Sequence, residues 1–80
     1  MTEQEARRLI DVKRNQLDLD PEMRFESAQK AIVAFTPDPR NPGPVEDRIA
    51  WVLVYSCDWG FVEIHVDDKG GEILAVRRSA

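Results

Sequence analysis

Three residues within one short stretch carry the side chains of a nucleophilic catalytic site: Cys57, His65 and Asp67. A thiol serves as a nucleophile when a histidine within hydrogen-bonding distance, about 3 Å, removes its proton. Glu63 lies in the same stretch, so that a metal site of carboxylate and imidazole ligands is a second chemical possibility. Both readings depend on the secondary structure that positions these side chains.

The segment Phe61–Asp67 alternates between aliphatic and ionisable side chains. Its aliphatic members are Val62, Ile64 and Val66, and its ionisable members are Glu63, His65 and Asp67. This period of two predicts a strand with one apolar face and one polar face. Gly70 and Gly71 follow where a hairpin needs positive φ, and Glu72–Val76 resumes the strand. The pattern predicts a hairpin whose polar face is exposed to water.

The preceding segment, Ile49–Tyr55, is almost entirely apolar, which is typical of a central strand. Trp51, a core residue in this interpretation, shares one face with Leu53 and Tyr55. A turn over Ser56–Gly60 then leads into the hairpin.

This arrangement separates the chemical candidates. With the turn centred near Asp58, His65 faces Val52 or Leu53, so that Cys57 lies about 13–17 Å away at roughly 3.3 Å per residue. Glu63, His65 and Asp67 spread over about 13 Å of one straight strand, too far to bind one ion together. The sequence therefore predicts no catalytic residue, no metal and no cofactor, with Cys57 partly buried near a turn.

The N-terminal segment is predicted to be a helix from Glu3 to Gln16 or Leu17. Thr2 and Glu5 have the spacing of a capping box, and the dipole of a helix favours acidic residues in its first turn. The residues with helical spacing form one stripe: Ala6, Leu9, Ile10, Lys13 and Leu17. Asp20-Pro21 then excludes a longer helix.

The segment from Pro21 to Phe35 allows two interpretations. Phe25, Ala28, Ile32 and Phe35 approximate helical spacing, whereas the run from Ala31 to Thr36 is rich in strand-forming residues. We favour a turn or short helical segment over Asp20–Arg24 and a strand over Gln29–Thr36. Pro37–Asp47 contains four of the five prolines and is predicted to be a loop.

Taken together, the elements predict an α+β fold: a single domain over residues 1–80, with an N-terminal helix packed on a three- or four-stranded antiparallel meander. A net charge of −4 argues against a nucleic-acid partner, whose phosphates require a basic surface. One cysteine cannot form an internal disulfide, and no apolar run approaches the roughly 20 residues of a membrane span. The acidic N-terminus is unlike a secretory signal, so that we expect a cytoplasmic protein.

The stretch Val62–Leu74 resembles the end of PepSY-like domains, which are small cystatin-like α+β domains. These domains commonly end in an alternating strand, an Asp-x-x-x-Gly-Glu turn and a short aliphatic strand, and Asp67, Gly71, Glu72 and Ile73 match that pattern. The position before the glycine, often threonine in the family, is Gly70 in this chain. The resemblance covers about the last twenty residues and, loosely, the helix. It implies a cystatin-like fold and a role in peptidase regulation or as an immunity protein, and it supplies no catalytic residues.

These observations predict a non-enzymatic domain that binds another protein or a second copy of itself, and the resemblance suggests an inhibitor or an immunity protein. Its candidate binding residues are Glu63, His65, Trp59 and Tyr55, because exposed Trp and Tyr are common in interfaces. Two alternatives remain: a small-ligand or enzymatic role of Glu63 and His65 on the polar face, and self-association through that face or a free strand edge. The oligomeric state is left open.

Overall fold

One helix is followed by four antiparallel strands in the structure, a computed structural model that describes residues 1–36, 40 and 43–79. The elements are α1 (Glu3–Val12), β1 (Arg24–Phe35), β2 (Glu46–Cys57), β3 (Gly60–Asp67) and β4 (Ile73–Arg78). The strands lie side by side in the order β1-β2-β3-β4, each antiparallel to its neighbour. The predicted α+β meander is therefore confirmed, with four strands.

Helix α1 begins at the predicted capping box. The Thr2 hydroxyl accepts a hydrogen bond from the Glu5 backbone N–H at 3.2 Å, and the Glu5 carboxylate accepts one from the Thr2 N–H at 3.0 Å. These hydrogen bonds with Thr2 lower the pKa of Glu5. Ala6 and Ile10 are fully buried, as the apolar stripe predicts.

The helix ends at Val12, before the predicted end at Gln16 or Leu17. The Lys13 N–H is shared between the Leu9 and Ile10 carbonyls, which loosens the helical hydrogen bonding, and the chain continues through turns to Asp18 at a φ of 54°. These turns place both Leu17 and Leu19 against the core. In a helix, residues two apart point in nearly opposite directions, so a continued helix would not bury both.

Strand β1 settles the ambiguous segment in favour of a strand, which begins at Arg24 rather than at Gln29. A β-bulge between Phe25 and Ser27 shifts the pairing with β2. Because a bulge adds one residue, Phe25 and Ala28 lie on the same face although they are three positions apart. The bulge therefore produces the spacing that resembled a helix.

The predicted loop Pro37–Asp47 lies partly outside the described residues. Its last two residues belong to β2, which starts at Glu46 and pairs there with Phe35 of β1. This end of the sheet is also the end at which the turn after β3 lies, because Ala50 pairs with Asp67. The Asp58–Trp59 turn lies at the opposite end.

The sheet face that packs against α1, hereafter the helix face, carries most of the core. Alternate residues of β2 and β3 point to this face and are buried with the helix and with the turns after it. The buried cluster consists of Ala6, Ile10, Leu19, Met23, Leu53, Tyr55, Val62, Ile64 and Val66. The register between β2 and β3 thus agrees with the alternation predicted for β3.

The opposite sheet face, hereafter the open face, is less exposed than predicted. It carries Val52 and Val54 of β2 next to Glu63, His65 and Asp67 of β3. His65 and Asp67 are only 8% exposed, so the expectation of a fully hydrated polar face is wrong at these two positions. On this face His65 contacts Glu63 and Asp67 contacts Arg48, whereas α1, the one helix in the described residues, packs on the other face.

Candidate functional site

The open face contains a close pair of ionisable side chains. The His65 Nε2 atom lies 2.9 Å from the Glu63 Oε2 atom, and the two residues are two positions apart on β3. Val52 lies directly across from His65 on β2, as the sequence predicts. This carboxylate fixes the orientation of the imidazole ring. On β4, Ala75 lies across from His65 and Arg77 across from Glu63.

Cys57 takes no part in this pair. It pairs with Gly60 at the hairpin end, five positions along β2 from Val52, which corresponds to about 16 Å. The thiol is half-buried against the core, in agreement with the sequence interpretation. Across residues 1–36, 40 and 43–79, no group of three or more His, Cys, Asp or Glu side chains is arranged to hold a metal ion.

Asp67 stabilises the turn that follows β3. Its Oδ2 atom accepts a hydrogen bond from the Gly70 N–H at 2.8 Å, while its Oδ1 atom lies 3.7 Å from the Arg48 guanidinium. Arg48 also bonds Glu46 at 3.0 Å and packs its guanidinium over the Phe35 ring. The bond to Glu46 raises the pKa of Arg48, although desolvation opposes this, and the charge of Asp67 raises it further.

Tyr55, which the sequence predicts as a binding residue, is not accessible in the structure. It lies on the helix face, is 2% exposed, and packs edge-on against the Phe25 ring at a centroid distance of 5.7 Å. Burial raises the pKa of Tyr55, and the charge of Asp11 adds to this effect. Its alternation with Val54 already placed it opposite to Glu63, so Tyr55 contributes to the core rather than to an accessible surface.

Trp51 lies near the N-terminus and the β3–β4 turn. It is half-buried, and its indole N–H donates to the Met1 carbonyl and to Asp68 Oδ1, each at 3.1 Å. The Lys30 ammonium lies 5.4 Å from the centre of the Trp51 ring. The core position predicted for Trp51 is thus confirmed in part, with a polar edge that the sequence did not reveal.

Asp68 is the centre of this polar edge. Its Oδ1 atom lies 3.5 Å from the Lys30 ammonium and 3.5 Å from the N-terminal ammonium of Met1. Desolvation acts to raise the pKa of Asp68, but the positive charges of Lys30 and the N-terminus outweigh it and lower the pKa. These ion pairs of Asp68 hold the N-terminus against the β3–β4 turn.

The end of the sheet at the Asp58–Trp59 turn exposes two large aromatic side chains, hereafter the aromatic end. Trp59 is 64% exposed and Phe61 is 51% exposed. Trp59 occupies the two-residue connection between Cys57 and Gly60, where a side chain projects beyond the sheet. Phe61 lies on β3 on the same face as Glu63 and His65, so the aromatic end is continuous with the open face.

A concave surface of about 430 Å³ lies beside these aromatic rings. It is lined by Asp18, Leu19, Asp20, Pro21, Met23, Trp59, Phe61, Arg78 and Ser79. Two backbone-linked contacts shape it: Ser79 exchanges hydrogen bonds with Phe61, and Arg78 donates to the Leu17 carbonyl. The lining combines two buried apolar side chains, Leu19 and Met23, hereafter the floor, with the charged side chains of Asp18, Asp20 and Arg78, hereafter the rim.

The structure thus brings together part of the predicted binding set and adds residues that the sequence reasoning missed. Glu63 and His65 form a pair, Trp59 lies at the end of the same hairpin, and Tyr55 points away. Phe61 was missed, although it lies two residues before Glu63 on β3 and therefore on the same face as Glu63 and His65. The lining from Asp18 to Met23 had no signal in the sequence, because turn geometry alone brings it beside Trp59.

Comparisons of sequence and structure match this chain to no protein-family model, no curated protein and no solved structure. Within the described part of the chain, no helix is both long and apolar enough to cross a membrane.

Proposed function

We propose that this domain acts in the cytoplasm as a non-enzymatic protein-interaction domain, and that it binds a partner protein through the aromatic end. The observation that carries the proposal is the exposure of Trp59 and Phe61, at 64% and 51%, beside a concave surface of about 430 Å³. Large aromatic residues exposed next to a cavity are typical of interface hot spots. Trp59 and Phe61 differ from single apolar residues scattered on a surface because both are large and they lie close together.

The chemistry of the rim supports a polar partner surface around an apolar anchor. Asp18, Asp20 and Arg78 surround the apolar floor formed by Leu19 and Met23. Charged residues at the rim of an interface favour specificity and rapid association more than affinity. A partner that inserts an apolar or aromatic side chain between Trp59 and the Met23 floor, and that carries charges of both signs around it, fits this surface.

A PepSY-like or cystatin-like affiliation is a further part of the proposal. Its support is the order of elements, one helix followed by an antiparallel meander, together with the Asp67-to-Glu72 turn of the resembling motif. An inhibitor or immunity role follows from this affiliation alone and is independent of the aromatic end. That step is an analogy of fold.

The proposal is tested by capture of partners from the native host with wild-type and variant protein. Wild-type protein is expected to retain a stoichiometric partner, and Trp59→Ser is expected to weaken the complex by about 30-fold in Kd, because a hot-spot residue contributes about 2 kcal/mol or more. Val12→Ser is the matched control, since Val12 is an apolar residue of α1 that is 80% exposed. Absence of a stoichiometric partner, or equal loss with both variants, would contradict the proposal.

A small-ligand role of the open face is the second candidate, favoured by the 2.9 Å pair of Glu63 and His65. An imidazole oriented by a carboxylate is suited to hydrogen bonding or to proton transfer. NMR titration with divalent metals and common metabolites tests this role. Shifts of the His65 and Glu63 resonances that saturate would support it, and unmoved resonances would eliminate it.

A further inference from the structure

The outer edge of β1 is the longest unpaired backbone edge in the described structure. β1 has twelve residues, about 40 Å, and lies at one side of the sheet, where it pairs with β2 alone. The backbone hydrogen bonds outside the ladders in residues 1–36, 40 and 43–79 leave its outer side free. The other edge strand, β4, has six residues and ends in two arginines. An unpaired edge of this length is a template for another strand.

The two halves of this edge differ in how they are protected. From Arg24 to Lys30 the strand carries a bulge and three charged residues, which are the usual devices against pairing with another chain. From Ala31 to Phe35 it carries five apolar residues in succession and no charge. Ile32 is 73% exposed within this second half, hereafter the apolar edge. Protection is therefore missing where the strand is most apolar.

Ile32 also belongs to a larger apolar surface. It lies directly across from Ile49 of β2, which is 54% exposed, and both residues lie beyond the buried core cluster. The β1–β2 ladder continues to Phe35 and Glu46, whereas β3 ends opposite Ala50. The two isoleucines thus lie on a two-stranded ribbon beyond the end of β3, beside the β3–β4 turn, whose Asp68 N–H donates to the Ile49 carbonyl at 3.0 Å.

We infer that the apolar edge pairs antiparallel with the apolar edge of a second copy of this chain, about a two-fold axis at Ile32. In this register Ile32 faces Ile32 of the second copy, Ala31 faces Val33, and Lys30 faces Ala34. No charged residue faces a residue of like charge. The two sheets join into one sheet of eight strands, as in other isologous pairings through a strand edge.

The row of isoleucines determines the register. Because Ile49 and Ile32 are direct partners across β2 and β1, the two-fold axis at Ile32 creates a continuous row of four isoleucines across the centre of the joined sheet. Cross-strand pairs of β-branched residues stabilise a sheet. An axis at Ala31 or Val33 would place Ile32 against Lys30 or Ala34 and would interrupt this row. A second copy therefore supplies the partner surface that the apolar edge lacks.

Sedimentation velocity over roughly 10 µM to 1 mM tests the inference, a range that covers dissociation constants of weak complexes. Wild-type protein is expected to dimerise with rising concentration, and Ile32→Lys is expected to weaken dimerisation at least about tenfold. Val12→Lys is the matched control, since it places the same charge at an apolar residue of α1 that is 80% exposed. Circular dichroism of both variants verifies folding. A wild-type monomer at every concentration, or an Ile32→Lys dimer of unchanged strength, overturns the inference.

Disulfide trapping tests the register in a Cys57→Ser background. Residues directly opposed in an antiparallel pair have Cα atoms about 4.5–5.5 Å apart, which is within the range of a disulfide. Ile32→Cys is therefore expected to form a covalent dimer under mild oxidation. Ile49→Cys is the control, because three strand spacings, about 14 Å, separate the two copies of that position. Equal trapping of both variants, or none with Ile32→Cys, overturns the register.

The partner proposed for the aromatic end lies on a different surface, so that the two proposals fail separately. Loss of partner capture by Trp59→Ser with unchanged sedimentation supports the aromatic end alone. If residues 31–35 become protected from hydrogen exchange only when host extract is added to a protein that remains monomeric, a foreign strand occupies the edge, and self-pairing is overturned.

Discussion

Gly71 is the residue on which the β3–β4 turn depends most. Its φ is 69°, a left-handed conformation that costs other residues about 1–2 kcal/mol. The same residue is buried, and a Cβ atom there would lie 3.3 Å from the Met1 side chain and 3.5 Å from Leu9. The backbone geometry therefore requires glycine at this position, whereas the contacts need only a small shift of the flexible Met1 side chain.

We expect Gly71→Ala to reduce the free energy of unfolding by about 1–2 kcal/mol, because alanine is strained in the left-handed region. Chemical denaturation measures this change. Gly70→Ala is the matched control, because Gly70 is exposed, has no positive φ, and its Cβ would meet only Asp67 Oδ2 at 3.4 Å. Equal effects of the two substitutions would show that the turn does not depend on Gly71.

Asp68 makes the stability depend on pH in acid. Desolvation opposes its ionisation, but Lys30 and the N-terminal ammonium lower its folded-state pKa below the unfolded value of about 3.9. A lowered folded-state pKa contributes stability that is fully present above the unfolded pKa and is lost as the pH falls through the folded-state pKa. We expect Asp68→Asn to reduce the free energy of unfolding at pH 7 and to have no effect below the folded-state pKa of Asp68.

Urea denaturation of wild-type protein and Asp68→Asn between pH 7 and pH 2 measures this dependence. Asparagine retains an acceptor for the Trp51 N–H, so that the comparison isolates the charge. Asp58→Asn is the control, since Asp58 is an exposed aspartate in the opposite turn. A difference between wild-type protein and Asp68→Asn that stays constant over this range would exclude the charge as its cause.

At the scale of elements, the strands with regular alternation were predictable, and those with irregularities were less so. The faces of β3 followed from period two, and the central place of β2 followed from its apolar residues on both faces. The bulge in β1 hid the first five residues of the strand, 24–28, since it imitates helical spacing between Phe25 and Ala28. The early end of α1 was hidden because Leu17 continues the apolar stripe although the helix has ended.

The candidate site was predictable only where strand parity, the alternation of side chains between the two faces of a strand, decides which residues lie together. Parity places Glu63 and His65 together, and hairpin pairing separates both from Cys57. Parity does not reveal that His65 is only 8% exposed. The concave surface depends on turns that bring Asp18 and Met23 beside Trp59, and such long-range contacts leave no periodic pattern in one sequence.

The packing of α1 gives a prediction with a matched pair of aliphatic residues. Ile10 is fully buried between the helix and the sheet, whereas Val12, one of the last residues of the helix, is 80% exposed. We expect Ile10→Ala to reduce the free energy of unfolding by about 2–5 kcal/mol, since it removes buried methylene groups and leaves a cavity. Val12→Ala is expected to change it by about 0.5 kcal/mol or less. Chemical denaturation of both variants measures this contrast. Similar effects of the two substitutions would show that Ile10 is not buried between α1 and the sheet.

At the scale of the whole molecule, every element contributes to one core, but the sheet extends beyond it. The helix, the turns after it and strands β2 and β3 supply the buried cluster, with Phe25 and Ala28 of β1 and Ile73 of β4 packed against it. The ribbon formed by residues 32–35 and 46–49 lies outside this cluster. The aromatic end is at the opposite end of the sheet. The two proposed interaction surfaces therefore lie at opposite ends of the sheet, and the aromatic end reaches the core through Leu19 and Met23.

This arrangement predicts one cooperative unfolding transition with local opening of the ribbon. Trp59→Phe leaves Trp51 as the single tryptophan, and its fluorescence is expected to change at the same urea concentration as the far-ultraviolet circular dichroism.

In dilute protein, the amides of the ribbon are expected to exchange through local opening, while those at the centres of β2 and β3 exchange only on global unfolding, because the ribbon buries few side chains. Two separated transitions would show that the chain is more than one folding unit. Ribbon amides as protected as those of Leu53 and Ile64 would show that something covers the ribbon even in the monomer.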